Sequence, residues 1–343
     1  MTRIDSVDSF RVLAILAVIV IHTVPFGYGE SAVGEAFDLA TVANQLARFA
    51  VPFFFVVTGF FWGKKTGTRA QTFDASIKMS KRLATLFVFW SLIYILPFNP
   101  VSIVHQGPIA LARGIGANVQ AMVDHPFRLL FEGTKGHLWF LAALLCCLMI
   151  SALFVAFDKA ALLLILAVAL YAVGLLGKAY ANTPLGIQIQ FNTRNGPFFG
   201  LLFFVSGYLL SRRKPQESWF AKGLALTVLG YCVHFLELYF LHRRYGTTLA
   251  QDYLVGTYLL GLGSALMALS NHAFLRLPAL RAVGPRVLGI YAIHVVFVEL
   301  LYPVRLWISS PLWDIAYVLL VFALSFFAVS AMVKTGIGRR MVA

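Results

Sequence analysis

The chain reads as an all-α, polytopic bundle of about ten membrane-spanning helices with both termini in the cytoplasm. Three observations lead there. Hydrophobic residues fill 60% of the 343 positions and charged residues only 12%, about half the charged share of a soluble domain. Apolar runs of roughly 17 to 25 residues, the length a helix needs to cross a bilayer, recur from end to end. Lys and Arg are unevenly placed: if the first run leads outward, 18 fall on the cytoplasmic side and nine on the opposite side, the bias that orients membrane proteins.

In order, the runs lie at about 8–27, 46–62, 83–98, 138–157, 160–177, 197–211, 219–241, 252–270, 287–302 and 312–333. The first is followed by a Glu-containing polar stretch and has no small-residue cleavage signature, so it is expected to remain as a spanning helix. Between the second and third, KKTGTRAQTFDASIKMSKR is expected to extend the third helix into the cytoplasm from Asp74 onward. The longest connection, about 99–137 on the outer face, has a helix-like middle from Ile109 to Val123 and is long enough to form a cap or acceptor platform. No repeat recurs at a fixed period and no soluble segment is long enough to stand alone. Residues 1–343 therefore read as one membrane domain. Cys146, Cys147 and Cys232 lie within spans without paired spacing and read as core packing, not disulfide or zinc chemistry. The net charge of +14 sits largely in short loops that meet anionic lipid or a cytosolic anion and gives no reason to infer nucleic acid as a partner.

Arg11 and His22 are the first candidates for chemistry. They stand eleven residues apart in DSFRVLAILAVIVIHTVPF, and at about 100° per residue both face one stripe of the helix, separated by about 16 Å of depth. Ionisable groups in hydrocarbon are expensive and point by default to function. A neutral imidazole suits the removal of a proton from a hydroxyl near pH 7, so His22 reads as a general base. A packing histidine bonded to a backbone carbonyl is the alternative. For Arg11 the alternative is a local pair with Asp8, three residues earlier.

The pattern RIDSVDSFRVLAILAVIVIHT resembles the first span of the acyltransferase 3 family of integral-membrane acyltransferases. RFAVPFFFVVTGFFWGKK (Arg48–Lys65) resembles its second span, KGHLWFLAALL (Lys135–Leu145) its fourth and LGIYAIHVVFVEL (Leu288–Leu300) its penultimate one. The chain departs from the pattern at Val12, where a small residue is usual, and at Val295, where Pro often follows the His. The resemblance implies transfer of an acyl group, most often acetyl, from cytosolic acyl-CoA to a hydroxyl of a carbohydrate or cell-envelope acceptor, free or lipid-linked. The stretch around RFAVPFFF suggests the bacterial branch that modifies surface polysaccharides, and so an inner-membrane location.

By position, the resemblance makes His22 the general base and Arg11 an organiser of the donor path. Lys81 and Arg82 match the family's basic pair before the third span and would hold CoA phosphates, although orientation by positive charge alone already accounts for basic residues there. Acyl-CoA is then a co-substrate, with no tightly bound cofactor and no metal. His137 is open between acceptor contact and helix capping, and Trp139 reads as an interfacial anchor. His234 and Glu237, spaced i, i+3, can touch, so Glu237 is open between a structural pair and an acceptor contact. His294 matches the family's Tyr-x-x-His and is open between site residue and packing; Tyr291 is unassigned and Glu299 faces elsewhere.

Two rival readings belong to other classes. A proton-coupled secondary transporter could use the intramembrane His and Glu residues, but paired half-sequence repeats with matching broken spans are missing. A membrane metalloenzyme could gather His22, His137, His234 and His294, but the sequence has no clustered His boxes and no repeated Glu-x-x-His.

Overall fold

The computed structural model describes residues 3–27, 34–101, 104, 107–308 and 310–342. Part of the polar stretch after the first run, 28–33, and positions 102–103 and 105–106 of the long connection lie outside the described residues. Among the described residues the chain is all helical, with no strand.

The first helix, α1 (Asp5–Thr23), is the axis of the bundle. Its Val12, Ala14, Ile15, Val18 and Ile19 are all buried, and it packs against α3 (Ala50–Gly63), α12 (Pro278–Val283), α13 (Val287–Trp307) and α14 (Pro311–Met332). Helix α1 stops at Thr23, four residues before the apolar run does, because Val24 precedes Pro25 and cannot stay helical. Val24 and Phe26 instead take left-handed φ values of 47° and 65°, conformations that cost free energy in residues other than glycine. The turn is held from α13: Arg305 donates to the carbonyls of Thr23, Val24 and Gly27, and Asp314 of α14 accepts the Phe26 N–H at 2.6 Å.

Short α2 (Leu39–Leu46) runs through a 3₁₀ turn into α3. Helix α4 (Arg69–Ile93) begins five residues earlier than the sequence reading, because Thr68 and Gln71 close a reciprocal cap at its start. The long connection between the third and fourth runs carries α5 (Pro108–Asp124), on the helix-like stretch read from sequence, and α6 (Pro126–Glu132). Then follow α7 (Trp139–Ala156), α8 (Ala160–Leu176), α9 (Pro197–Ser211), α10 (Trp219–Tyr245) and α11 (Val255–Leu269); α15 (Gly336–Val342) ends the bundle.

Each of the ten apolar runs falls on a helix. Among the described residues, six stretches are long and apolar enough to cross a membrane: Asp5–Thr23, Leu39–Gly63, Gly136–Ala156, Trp219–Tyr245, Pro278–Trp307 and Pro311–Met332. Helices α8, α9 and α11 are apolar but shorter. Leu224, Val228 and Leu236 of α10 and Leu319 and Phe327 of α14 are exposed, as expected of side chains that meet lipid rather than water. Cys232 is likewise exposed on α10, whereas Cys147 is buried. In hydrocarbon, helices associate through close packing rather than apolar burial. Helices α3 and α9 meet at Gly59 and Gly207, where a Cβ on either would overlap a backbone carbonyl of the facing helix, Phe204 or Val56. That approach fixes α3, and with it the wall of the cavities described next.

Candidate active site

Two cavities enter the bundle near opposite ends of α1. The larger, about 870 Å³, is lined by Arg11, Lys65, Lys78 and Arg82 and by Phe54 and Thr58, among others; the cations outnumber its one carboxylate, Asp74, which pairs with Lys78, so the mouth is basic on balance and the interior apolar. The smaller, about 240 Å³, is lined by His22, Asn44, Arg48, His137, Trp139, Arg194 and Asp252, among others. Four residues line both: Val18, Val51, Phe140 and Tyr291. Arg11, Val18 and His22 follow the i, i+7, i+11 stripe of one helix face, so α1 lines both cavities and the stripe read from sequence is a cavity stripe.

His22 sits in the last turn of α1, His137 in the 3₁₀ turn Gly136–Leu138 that opens α7, and His294 early in α13. The fold brings the three rings together, with centroid separations of 5.1 Å (His22–His294), 5.3 Å (His137–His294) and 6.1 Å (His22–His137). Backbone carbonyls of α13 fix two of them. His294 Nδ1 donates to the Tyr291 carbonyl at 2.6 Å, and His137 Nε2 to the Ala292 carbonyl at 3.3 Å. Tyr94 also donates to Ala292, at 2.8 Å, and the Tyr291 hydroxyl donates to the His137 carbonyl. Tyr291 thus ties α13 to the start of α7 while lining both cavities.

Arg11 pairs with Asp8 at 2.8 Å, as its spacing allows, and its guanidinium also lies 5.5 Å over the Phe61 ring. Both Lys81 and Arg82 are exposed, but Arg82 lines the larger cavity and Lys81, one residue and about 100° earlier on α4, does not. Lys65 and Lys78 stand at the mouth instead. Trp139 is not an interfacial anchor: it is 7% exposed and lies beneath Arg194, whose guanidinium is 4.8 Å from its ring.

His234 and Glu237 do not pair. His234 bonds Thr257 at 3.1 Å and Gln45 at 2.9 Å. Glu237 accepts the Val255 and Gly256 amides at 3.0 and 3.1 Å, capping α11, and the Tyr180 hydroxyl at 2.7 Å. Burial and that bond push the Tyr180 phenol above its ordinary value and keep it a donor. Glu237 is therefore a helix cap and lines neither cavity. Glu237→Ala is expected to lower stability by about 1–3 kcal/mol through the amides it strands, with activity per folded molecule unchanged; thermal unfolding beside an activity assay checks this. Glu299 pairs with Lys135.

Sequence reasoning missed a charged cluster beside the smaller cavity. Asp252 receives Arg48 at 2.8 Å, Lys178 at 2.5 Å and Arg194 at 3.5 Å. Arg48 also bonds Asn44, at 2.7 and 3.1 Å, and Lys178 bonds Asn192 at 2.6 Å. Burial lowers the Lys178 ammonium from its ordinary value against the opposing pull of Asp252. The available signal was Arg48 itself, an arginine at the start of an apolar run that needs a counter-charge.

A multi-helix membrane bundle in which His22 and His137 line a cavity that shares a wall with a second, basic-mouthed one is matched by a family of membrane acyltransferases. A family model described as an acyltransferase domain matches residues 4–330, and the chain belongs to the acyltransferase 3 family. Among curated proteins it is similar to an amino-acid racemase of Enterococcus faecalis, 29% identical over 226 residues, which is 62% of this chain and 29% of that protein. It is also similar to a serine/alanine racemase of Enterococcus gallinarum, 29% identical over 249 residues, 68% of this chain and 32% of that protein. The chain thus spans about a third of the length of the curated relatives it matches. No solved structure matches it.

Proposed function

We propose that the protein moves an acyl group, acetyl in the first instance, from cytosolic acyl-CoA to a hydroxyl of a cell-envelope or exported carbohydrate. In this reading it is one membrane domain of ten spans in the bacterial inner membrane, with both termini cytoplasmic. The supporting observation is the wall shared by the two cavities: a basic-mouthed chamber and a histidine-lined chamber meet at Val18, Val51, Phe140 and Tyr291. Lys65, Lys78 and Arg82 supply charge-assisted donors for CoA phosphates, and the pantetheine arm runs past Arg11 along the apolar interior. The thioester reaches the wall, and the acceptor enters from the His22 side.

There His22 takes the proton of the acceptor hydroxyl as its oxygen bonds the acyl carbon. When the tetrahedral intermediate collapses, the carbon–sulfur bond breaks and the CoA sulfur receives that proton. The test is acetyl-CoA labelled in the acetyl group, given to membranes that contain the protein and the host's envelope glycans. Expected are release of free CoA and label in the glycan. Intact acetyl-CoA, together with proton-driven uptake of a solute, would replace this reading with transport.

A further inference from the structure

We propose that His294 is the positioning partner of His22: its Nε2 accepts the N–H of the His22 ring and thereby turns the unprotonated nitrogen of His22 toward the acceptor hydroxyl. The chemistry rests on the acyl-transfer reading; the geometry rests on the hydrogen bonds of His137 and His294 and on the spacing of the three rings.

A carbonyl oxygen only accepts, so a ring nitrogen bonded to one must carry the hydrogen. His294 bonds the Tyr291 carbonyl through Nδ1, which leaves Nε2 as the bare nitrogen of a neutral ring; His137 bonds the Ala292 carbonyl through Nε2, which leaves Nδ1 bare. Both bare nitrogens are buried and have no hydrogen-bond partner among the described residues. A buried acceptor without a donor is costly and calls for an explanation. Neither ring can satisfy the other, since each has its single N–H committed to a backbone carbonyl. His22 is the remaining ring of the cluster, and its N–H is the one that can be offered.

Distance selects His294 over His137. An N–H···N bond end to end places two imidazole centroids about 5 Å apart; His22 stands 5.1 Å from His294 and 6.1 Å from His137. The rings are tilted by 57°, so rotation of the His22 ring completes the bond. His294 is also the most firmly held of the three, fully buried and fixed within its own helix turn. It exchanges no proton. The acceptor's proton moves to His22 and on to the CoA sulfur, while the bond to His294 strengthens as His22 becomes charged.

The test compares His294→Gln, whose amide oxygen still accepts, with His294→Phe, which keeps a ring and loses the acceptor. For the Phe variant kcat is expected to fall roughly ten- to hundredfold, the worth of a hydrogen bond to a charged group, with KM for acetyl-CoA unchanged. The Gln variant should restore most of the loss. In parallel, ¹⁵N-histidine spectra of the wild type should show one hydrogen-bonded His22 tautomer, and those of the Phe variant a tautomer mixture. Equal kcat for the two variants, or an unchanged His22 tautomer in the Phe variant, overturns the proposal. If the Phe variant does not fold, a wild-type His22 N–H free of any hydrogen bond overturns it instead. Wild-type membranes that transfer no acetyl group defeat the acyl-transfer reading, and the spectra then judge the histidine pair independently.

Discussion

His22→Ala is expected to lower acetyl incorporation by about 10²- to 10⁴-fold, the usual contribution of a positioned general base. The loss should fall on kcat. KM for acetyl-CoA should hold, because the basic mouth at Lys65, Lys78 and Arg82 belongs to the other cavity and is untouched. Folding should survive as well: His22 is half-buried, so its removal enlarges a cavity that already exists. The measurement is labelled acetyl transfer at matched membrane levels, with thermal unfolding alongside. Wild-type transfer by the alanine variant would remove His22 from the mechanism and direct attention to His137, which lines the same cavity.

The second large effect concerns stability. Asp252 is the meeting point of Arg48, Arg194 and Lys178, and with only 15% of its side chain exposed the group is largely buried. Removing one partner of a buried ion pair costs about 3–5 kcal/mol because the opposite charge is left uncompensated. Asp252→Ala is therefore expected to unfold the end of the bundle that holds the smaller cavity at markedly lower temperature. Asp74→Ala is the comparison: Asp74 pairs with Lys78 at 2.7 Å, but both side chains are largely exposed, and such pairs contribute about 1 kcal/mol or less. Equal melting of the two variants would refute the buried network. Asp252→Asn keeps an acceptor oxygen without the charge, so it separates the electrostatic part of the effect from the hydrogen bonding.

Helices were legible in the sequence because each run of apolar residues carries its own instruction: a backbone in hydrocarbon must satisfy itself internally. Their ends were less so. Helix α4 starts early through one Thr68–Gln71 exchange, and α1 stops early through Pro25, both local effects that a hydropathy run averages away. Arg11 and His22 were legible as a pair because they share one helix. The His22–His137–His294 cluster was not, since it depends on three helices converging. The same holds for Arg48 and Asp252, which are 204 residues apart. Glu237 misled because i, i+3 spacing permits a contact without requiring it; the amides at the start of α11 claimed the carboxylate instead.

The four residues between the cavities have a further consequence for the cell. Two water-accessible chambers that met without a barrier would form a conduit through the membrane and dissipate its ion gradients. Val18, Val51, Phe140 and Tyr291 present three hydrocarbon side chains and one phenol whose proton is engaged with the His137 carbonyl, so neither an ion nor a chain of water finds polar footing there. On the proposed acyl-transfer reading, what passes between the chambers is a small acyl fragment bonded in turn to sulfur and oxygen, and the electrical insulation of the bilayer would be kept during turnover.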